Sequence, residues 1–144
     1  MNKQNHLLIA LSYYGQMAIE GPQTNEVVEQ FYKDAGHSEI KGDDVAWCSA
    51  FVGAILHRCG LPISGSLLAR SWLDIGIETT TPELGDLVIF WRVSKDSIFG
   101  HVGFYISEDN GMVYVLGGNQ KNQVCISPYS KNQILGYRQL IIQC

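Results

Sequence analysis

The first half of the chain carries its apolar residues at helical spacing, and the second half carries them in alternation. Leu7, Leu8, Leu11 and Tyr14 recur every three or four positions, which predicts a helix over residues 6–18 with one apolar face. A second helix is expected over 25–35, with Thr24 or Asn25 as N-cap and Gly36 closing it. After the polar loop HSEIKGDD, the run WCSAFVGAILHRCG from about Trp47 to Cys59 is apolar nearly all round, so it predicts a central buried helix stopped by Gly60 and Pro62. A fourth helix is expected over about Ser66 to Gly76.

Beyond Pro82 the period changes to two. Strands are expected at Asp86–Arg92, His101–Ser107, Met112–Leu116, Val124–Ser127 and Leu135–Ile142, separated by turn signals such as SEDNG and GGNQKN. Helices followed by an antiparallel meander of about five strands define an α+β class. With 144 residues and no linker, repeat or low-complexity tract, residues 1–144 are read as a single domain.

Charge and composition narrow the functional classes. Apolar residues make up 46% of the chain and charged residues 17%, a globular balance. A formal charge of -4 with no Lys/Arg run removes the footprint that nucleic-acid binding requires. No stretch approaches the ~20 apolar residues of a bilayer span, so membrane insertion is not expected. The start MNKQNHLLIALSYYGQMA reads as a helix rather than an export signal, because His6, Tyr13 and Tyr14 interrupt its apolar run. Cysteines at 48, 59, 125 and 144 form no CxxC pair, and no His stands at zinc-ligand spacing, so no metal or other cofactor is expected. A monomer is expected.

One cysteine is placed for chemistry. Cys48 opens the buried helix just after Asp43 and Asp44, either of which can serve as N-cap, and unpaired N–H groups with a positive helix dipole favour a thiolate there. The same N–H groups can receive an oxyanion. A small buried core residue is the competing reading. Of the four histidines, His57 lies nine residues on and points to the opposite side of the helix, while His6 and His37 are expected in solvent. His101 begins a strand after Gly100 and is the candidate base. If Ile106 faces Met112 across a turn at Ser107–Gly111, His101 falls opposite Gly117, and Asn119 shares its parity. Asn119 is therefore the expected partner of the imidazole, with Gln120 the nearest substitute and a plain turn at GGNQ the competing reading. Trp72 and Trp91 are read as core or as cleft walls, Asp86 as closing the turn into its strand, and Arg70 and Asp74 as an i,i+4 pair.

The segments WCSAF, PELGDLVIFWR, GHVGFYIS and VLGGNQ, in this order over about Asp43 to Arg138, resemble the NlpC-type and CHAP-type cell-wall peptidases and amidases, in a compact phage-lysin-like or secreted branch. The resemblance implies a papain-like fold with Cys48 as nucleophile, His101 as strand-borne base and Asn119 as the third residue. Gly117 stands where many CHAP relatives carry an acidic residue two positions before that Asn. It also implies acyl transfer to water on peptidoglycan, either at a peptide–peptide bond or at the N-acetylmuramoyl-L-alanine amide, without a cofactor. A catalytically idle wall- or partner-binding domain, and an acyltransferase or deamidase, are the alternatives. Action in the periplasm or cell wall without an export signal implies delivery by phage lysis or a secretion machine, and an immunity protein as partner if the chain is a toxin.

Overall fold

The computed structural model describes residues 5–17, 26–37 and 47–140. Three α-helices, α1 (Asn5–Leu11), α2 (Glu26–Asp34) and α3 (Cys48–Arg58), precede six strands. The strands are β1 (Ile77–Thr79), β2 (Leu87–Trp91), β3 (Gly100–Asp109), β4 (Met112–Gln120), β5 (Gln123–Ser130) and β6 (Ile134–Gln139). The expected caps Thr24, Asn25, Asp43 and Asp44, the loop after His37, residue 18, residues 141–142 and Cys144 lie outside the described residues.

The central helix takes the position its composition demands. Every residue from Cys48 to Leu56 is buried. Phe51 meets Phe31 of α2 edge-on at 5.2 Å and Phe104 of β3 at 6.3 Å, so one side chain couples both neighbours of the helix. Full burial of Phe51, Ile55 and Leu56 stabilises the fold by about 1.5–3 kcal/mol each. Gly53 lets α2 approach closely, since a Cβ there would stand 3.0 Å from that of Ala35.

The sheet is antiparallel throughout, in the order β1-β6-β2-β3-β4-β5. Its two faces follow the period-two pattern. Leu87, Ile89, Val102, Phe104 and Leu116 belong to the core beneath α3. Val88, Phe90, Tyr105, Val113 and Val115 form a second cluster on the other side, flanked by Tyr129, Ile134 and Tyr137.

Three expectations need correction. The fourth helix is a 3₁₀ helix confined to Ala69–Asp74, and Ile77–Thr79 beyond it adds the sixth strand by pairing with β6. The β3–β4 hairpin turns at Asn110–Gly111, whose φ values of 50° and 76° suit the Asn-Gly pair, rather than over Ser107–Gly111. Asp109 consequently faces Met112, and a bulge at Ile106 brings Tyr105 opposite Val115. The first helix ends at Leu11, followed by turn residues. No helix among the described residues is long and apolar enough to cross a membrane.

Candidate active site

Cys48 is the first residue of α3 and is 5% exposed. The helix start is anchored by its neighbour: Trp72 Nε1 donates to Ser49 Oγ at 2.7 Å, and Ser49 Oγ donates to the Ser66 carbonyl at 2.6 Å. The thiol lies against the backbone N–H groups of Val102 and Ser49, which favour the thiolate, as does the charge of Arg92. Burial outweighs them and pushes the thiol up from its ordinary value. The expected depression is therefore reversed, because the helix terminus that favours a thiolate is also packed in the core.

His101, the second residue of β3, is 4% exposed. Val102, whose amide meets the Cys48 thiol, is the next residue along the chain. The ring is held from one side. Its Nε2 is 2.8 Å from Gln120 Oε1, and the Gln120 amide nitrogen donates to the carbonyls of Val115 at 3.1 Å and Cys125 at 2.6 Å. With both amide protons engaged by carbonyls, only the oxygen of Gln120 can face the ring, so Nε2 carries the proton and Nδ1 keeps a lone pair. Tyr129 stacks on His101 at 5.0 Å and Phe90 stacks on Tyr129 at 4.8 Å, with the Tyr129 hydroxyl 3.2 Å from Nε2. Burial, with a smaller contribution from the Arg92 charge, brings the imidazole down to about 4 against the opposing Gln120 bond. It is neutral at pH 7.

Gln120, not Asn119, is thus the residue on the ring. Between the pairs Gly117–Cys125 and Gln120–Gln123, β4 spends one residue more than β5. Asn119 absorbs that residue in the left-handed region at φ 58°, which Asn tolerates better than most side chains. The bulge flips the alternation, so that Gln120 rather than Asn119 shares the face of Gly117 and His101. Gly117 is required there: a Cβ on it would stand 2.5 Å from Gln120 Oε1.

Other sequence expectations resolve individually. Asp86 Oδ2 accepts from the Glu83 amide at 2.8 Å, closing the turn before β2. His57 is exposed. His6 is buried, donating Nε2–H to the Gly85 carbonyl at 2.7 Å and packing on Phe104, and His37 Nε2 reaches the Gly65 carbonyl at 2.9 Å; neither is the free surface group expected. Trp72 is core, whereas Trp91 lines a cavity beside His101. Arg70 does not pair with Asp74; it donates to the Phe99, Lys95 and Ser94 carbonyls at 2.9, 2.8 and 3.0 Å. Cys59 and Cys125 are buried free thiols.

The CHAP domain family matches residues 40–119, more than half of the chain. The chain belongs to the CHAP domain family. The matched span carries Cys48, His101 and Asn119 and stops one residue short of Gln120. Among solved structures, a lipoprotein-like protein of the NLP/P60 family from Staphylococcus aureus subsp. aureus Mu50 shares the CHAP chain's fold with a TM-score of 0.54 at 17% identity. That similarity covers 98% of this chain and 42% of the other, so the chain spans less than half of that protein's length. No curated protein matches the chain. The fold is the papain-like α+β arrangement, six-stranded where about five strands were expected.

Proposed function

We propose that the protein is a cysteine hydrolase cleaving an amide bond of peptidoglycan, with Cys48 as nucleophile and His101 as general base and then acid. The observation that carries this reading is the tautomer imposed by Gln120, which puts the proton on Nε2 and leaves Nδ1 as the acceptor available to a thiol. Asn119, the third residue expected from the family pattern, is replaced in that role by Gln120.

A raised thiol and a lowered imidazole make the resting pair neutral. Proton transfer from Cys48 to His101 therefore accompanies attack on the carbonyl. A carbon–sulfur bond forms, the carbonyl oxygen takes negative charge, and the backbone N–H groups of Ser49 and Val102, which meet the thiol, are the candidate donors to it. The imidazolium then protonates the amine as the carbon–nitrogen bond breaks. Water, deprotonated by His101, attacks the thioester, and Cys48 leaves with the proton.

Release of soluble muropeptides from purified sacculi by the wild type and not by Cys48→Ala is the expected result. Mass spectrometry of the products from a defined muropeptide then identifies the bond, either a peptide–peptide link or the N-acetylmuramoyl-L-alanine amide. Intact sacculi in both reactions remove the reading. Action belongs in the periplasm or cell wall, reached by phage lysis or a secretion machine, and a toxin delivered in this way needs an immunity protein in its producer.

The burial of Cys48 favours a second reading, an idle domain that binds wall or partner with Cys48 as core. Iodoacetamide labelling separates the two: a nucleophile labels faster than Cys125 and loses that advantage in His101→Ala, whereas an inert thiol labels no faster than Cys125.

A further inference from the structure

The segment from Arg92 to Phe99 walls a groove of about 270 Å³ that Cys48 also lines, with Leu68, Val93, Ile98 and Phe99 supplying apolar surface. The wall is held from behind by the three carbonyl bonds of Arg70 and by Ser97 Oγ, which donates to the Arg92 carbonyl at 2.5 Å. Val93, 81% exposed, sits at φ 70°, where a branched residue is strained. Such strain persists only where surrounding structure imposes it, and here it adjoins the one charged side chain that lines the groove among the described residues.

That side chain is Arg92. It also lines the neighbouring cavity of about 290 Å³ containing His101 and Gln120, where the other charged residue is Lys121. Among the described residues both cavities are lined by cations without an acid, in a chain with 14 acidic and 10 basic residues. No salt bridge among the described residues engages the Arg92 guanidinium. A planar guanidinium left open beside apolar walls is suited to bidentate capture of a carboxylate, and the walls focus its field.

We infer that Arg92 is a specificity-determining residue, selecting substrates that carry a free carboxylate close to the amide to be cleaved, with Lys121 adding to the attraction. The inference rests on the hydrolase reading above. The preference is expressed in binding, so it acts on KM more than on kcat.

The test compares a defined muropeptide with the same muropeptide whose free carboxylates are converted to carboxamides. The wild type is expected to favour the carboxylate form by about tenfold or more in kcat/KM, the scale of one charge-assisted hydrogen bond. Arg92→Gln is expected to remove the preference, bringing the ratio of kcat/KM on the two forms to about one, and Arg92→Lys to retain part of it. Equal kcat/KM on the two forms, or an equal loss on both in Arg92→Gln, overturns the inference and leaves the hydrolase reading standing. If the wild type cleaves neither form, calorimetric binding to Cys48→Ala decides. Tighter binding of the carboxylate form, lost on adding Arg92→Gln, upholds the selection and removes the hydrolase reading, whereas equal or absent binding overturns the selection as well.

Discussion

The side-chain oxygen of Gln120 stands 2.8 Å from Nε2 of His101, while the nitrogen of the same amide is tied to two main-chain carbonyls. This single amide orients the ring and selects its tautomer. Gln120→Leu removes the nearest partner of the ring N–H, leaving it the Tyr129 hydroxyl at 3.2 Å, and takes the amide donor from both carbonyls, at a cost of about 1–3 kcal/mol in stability, and lets the ring turn. Its kcat is expected to fall by at least about tenfold, with Asn119→Ala falling less. Steady-state kinetics with thermal melts of both variants check the order; an Asn119→Ala enzyme weaker than Gln120→Leu returns the role to Asn119.

Gly117 makes the space in which Gln120 reaches His101. A methyl group added there stands 2.5 Å from Gln120 Oε1 and 3.4 Å from His101 Nε2. Gly117→Ala is expected to displace the amide and reproduce the Gln120→Leu defect in kcat. In Gly111→Ala the added methyl meets nothing within 4 Å, so that variant is expected to lose stability through its φ of 76° and to keep its kcat. Comparable kcat losses in the two variants remove the steric account.

The depressed imidazole sets two pH dependences. In the proposed mechanism His101 acts as base only when neutral, so the acid limb of kcat/KM is expected near pH 4 rather than near the ordinary 6.5. Stability has the same sign. Above pH 6.5 the ring is neutral in both folded and unfolded chains; between 6.5 and about 4 the unfolded chain takes up a proton that the folded chain refuses, and stability falls. Below about 4 both forms are protonated and this contribution stops changing. Denaturant titrations of wild type and His101→Gln between pH 7 and 4 isolate it, the variant showing the shallower slope.

Arg70 holds the groove wall by main-chain carbonyls 24 to 29 residues away. Arg70→Met keeps much of the side-chain volume and removes those bonds. Faster hydrogen exchange at amides 94–99 and a raised KM with a nearly unchanged kcat are expected. Unchanged exchange there shows that the segment holds its shape by its own turns.

The sequence carried several elements because their signals are local. Cys48–Arg58 is apolar on all sides and the strands from β2 onward alternate, so helix, sheet and class followed from periodicity. Asp86 was legible for the same reason, its acceptor lying three residues from the amide it takes. The three-residue β1 carries too few positions for alternation to show. The Asn110–Gly111 pair was a readable hairpin signal, and placing the turn there extends both strands and resets the register.

What the chain determined by itself is which residues have the right chemistry: a cysteine opening a buried helix, a histidine opening a strand, and an amide pair at the end of the next strand. Tertiary structure decided which amide meets the ring and which way each pKa moves. Both outcomes depend on distances between segments far apart in sequence. One bulged residue at Asn119 exchanges the two faces of a strand, and burial beneath α3 outweighs the helix terminus at Cys48.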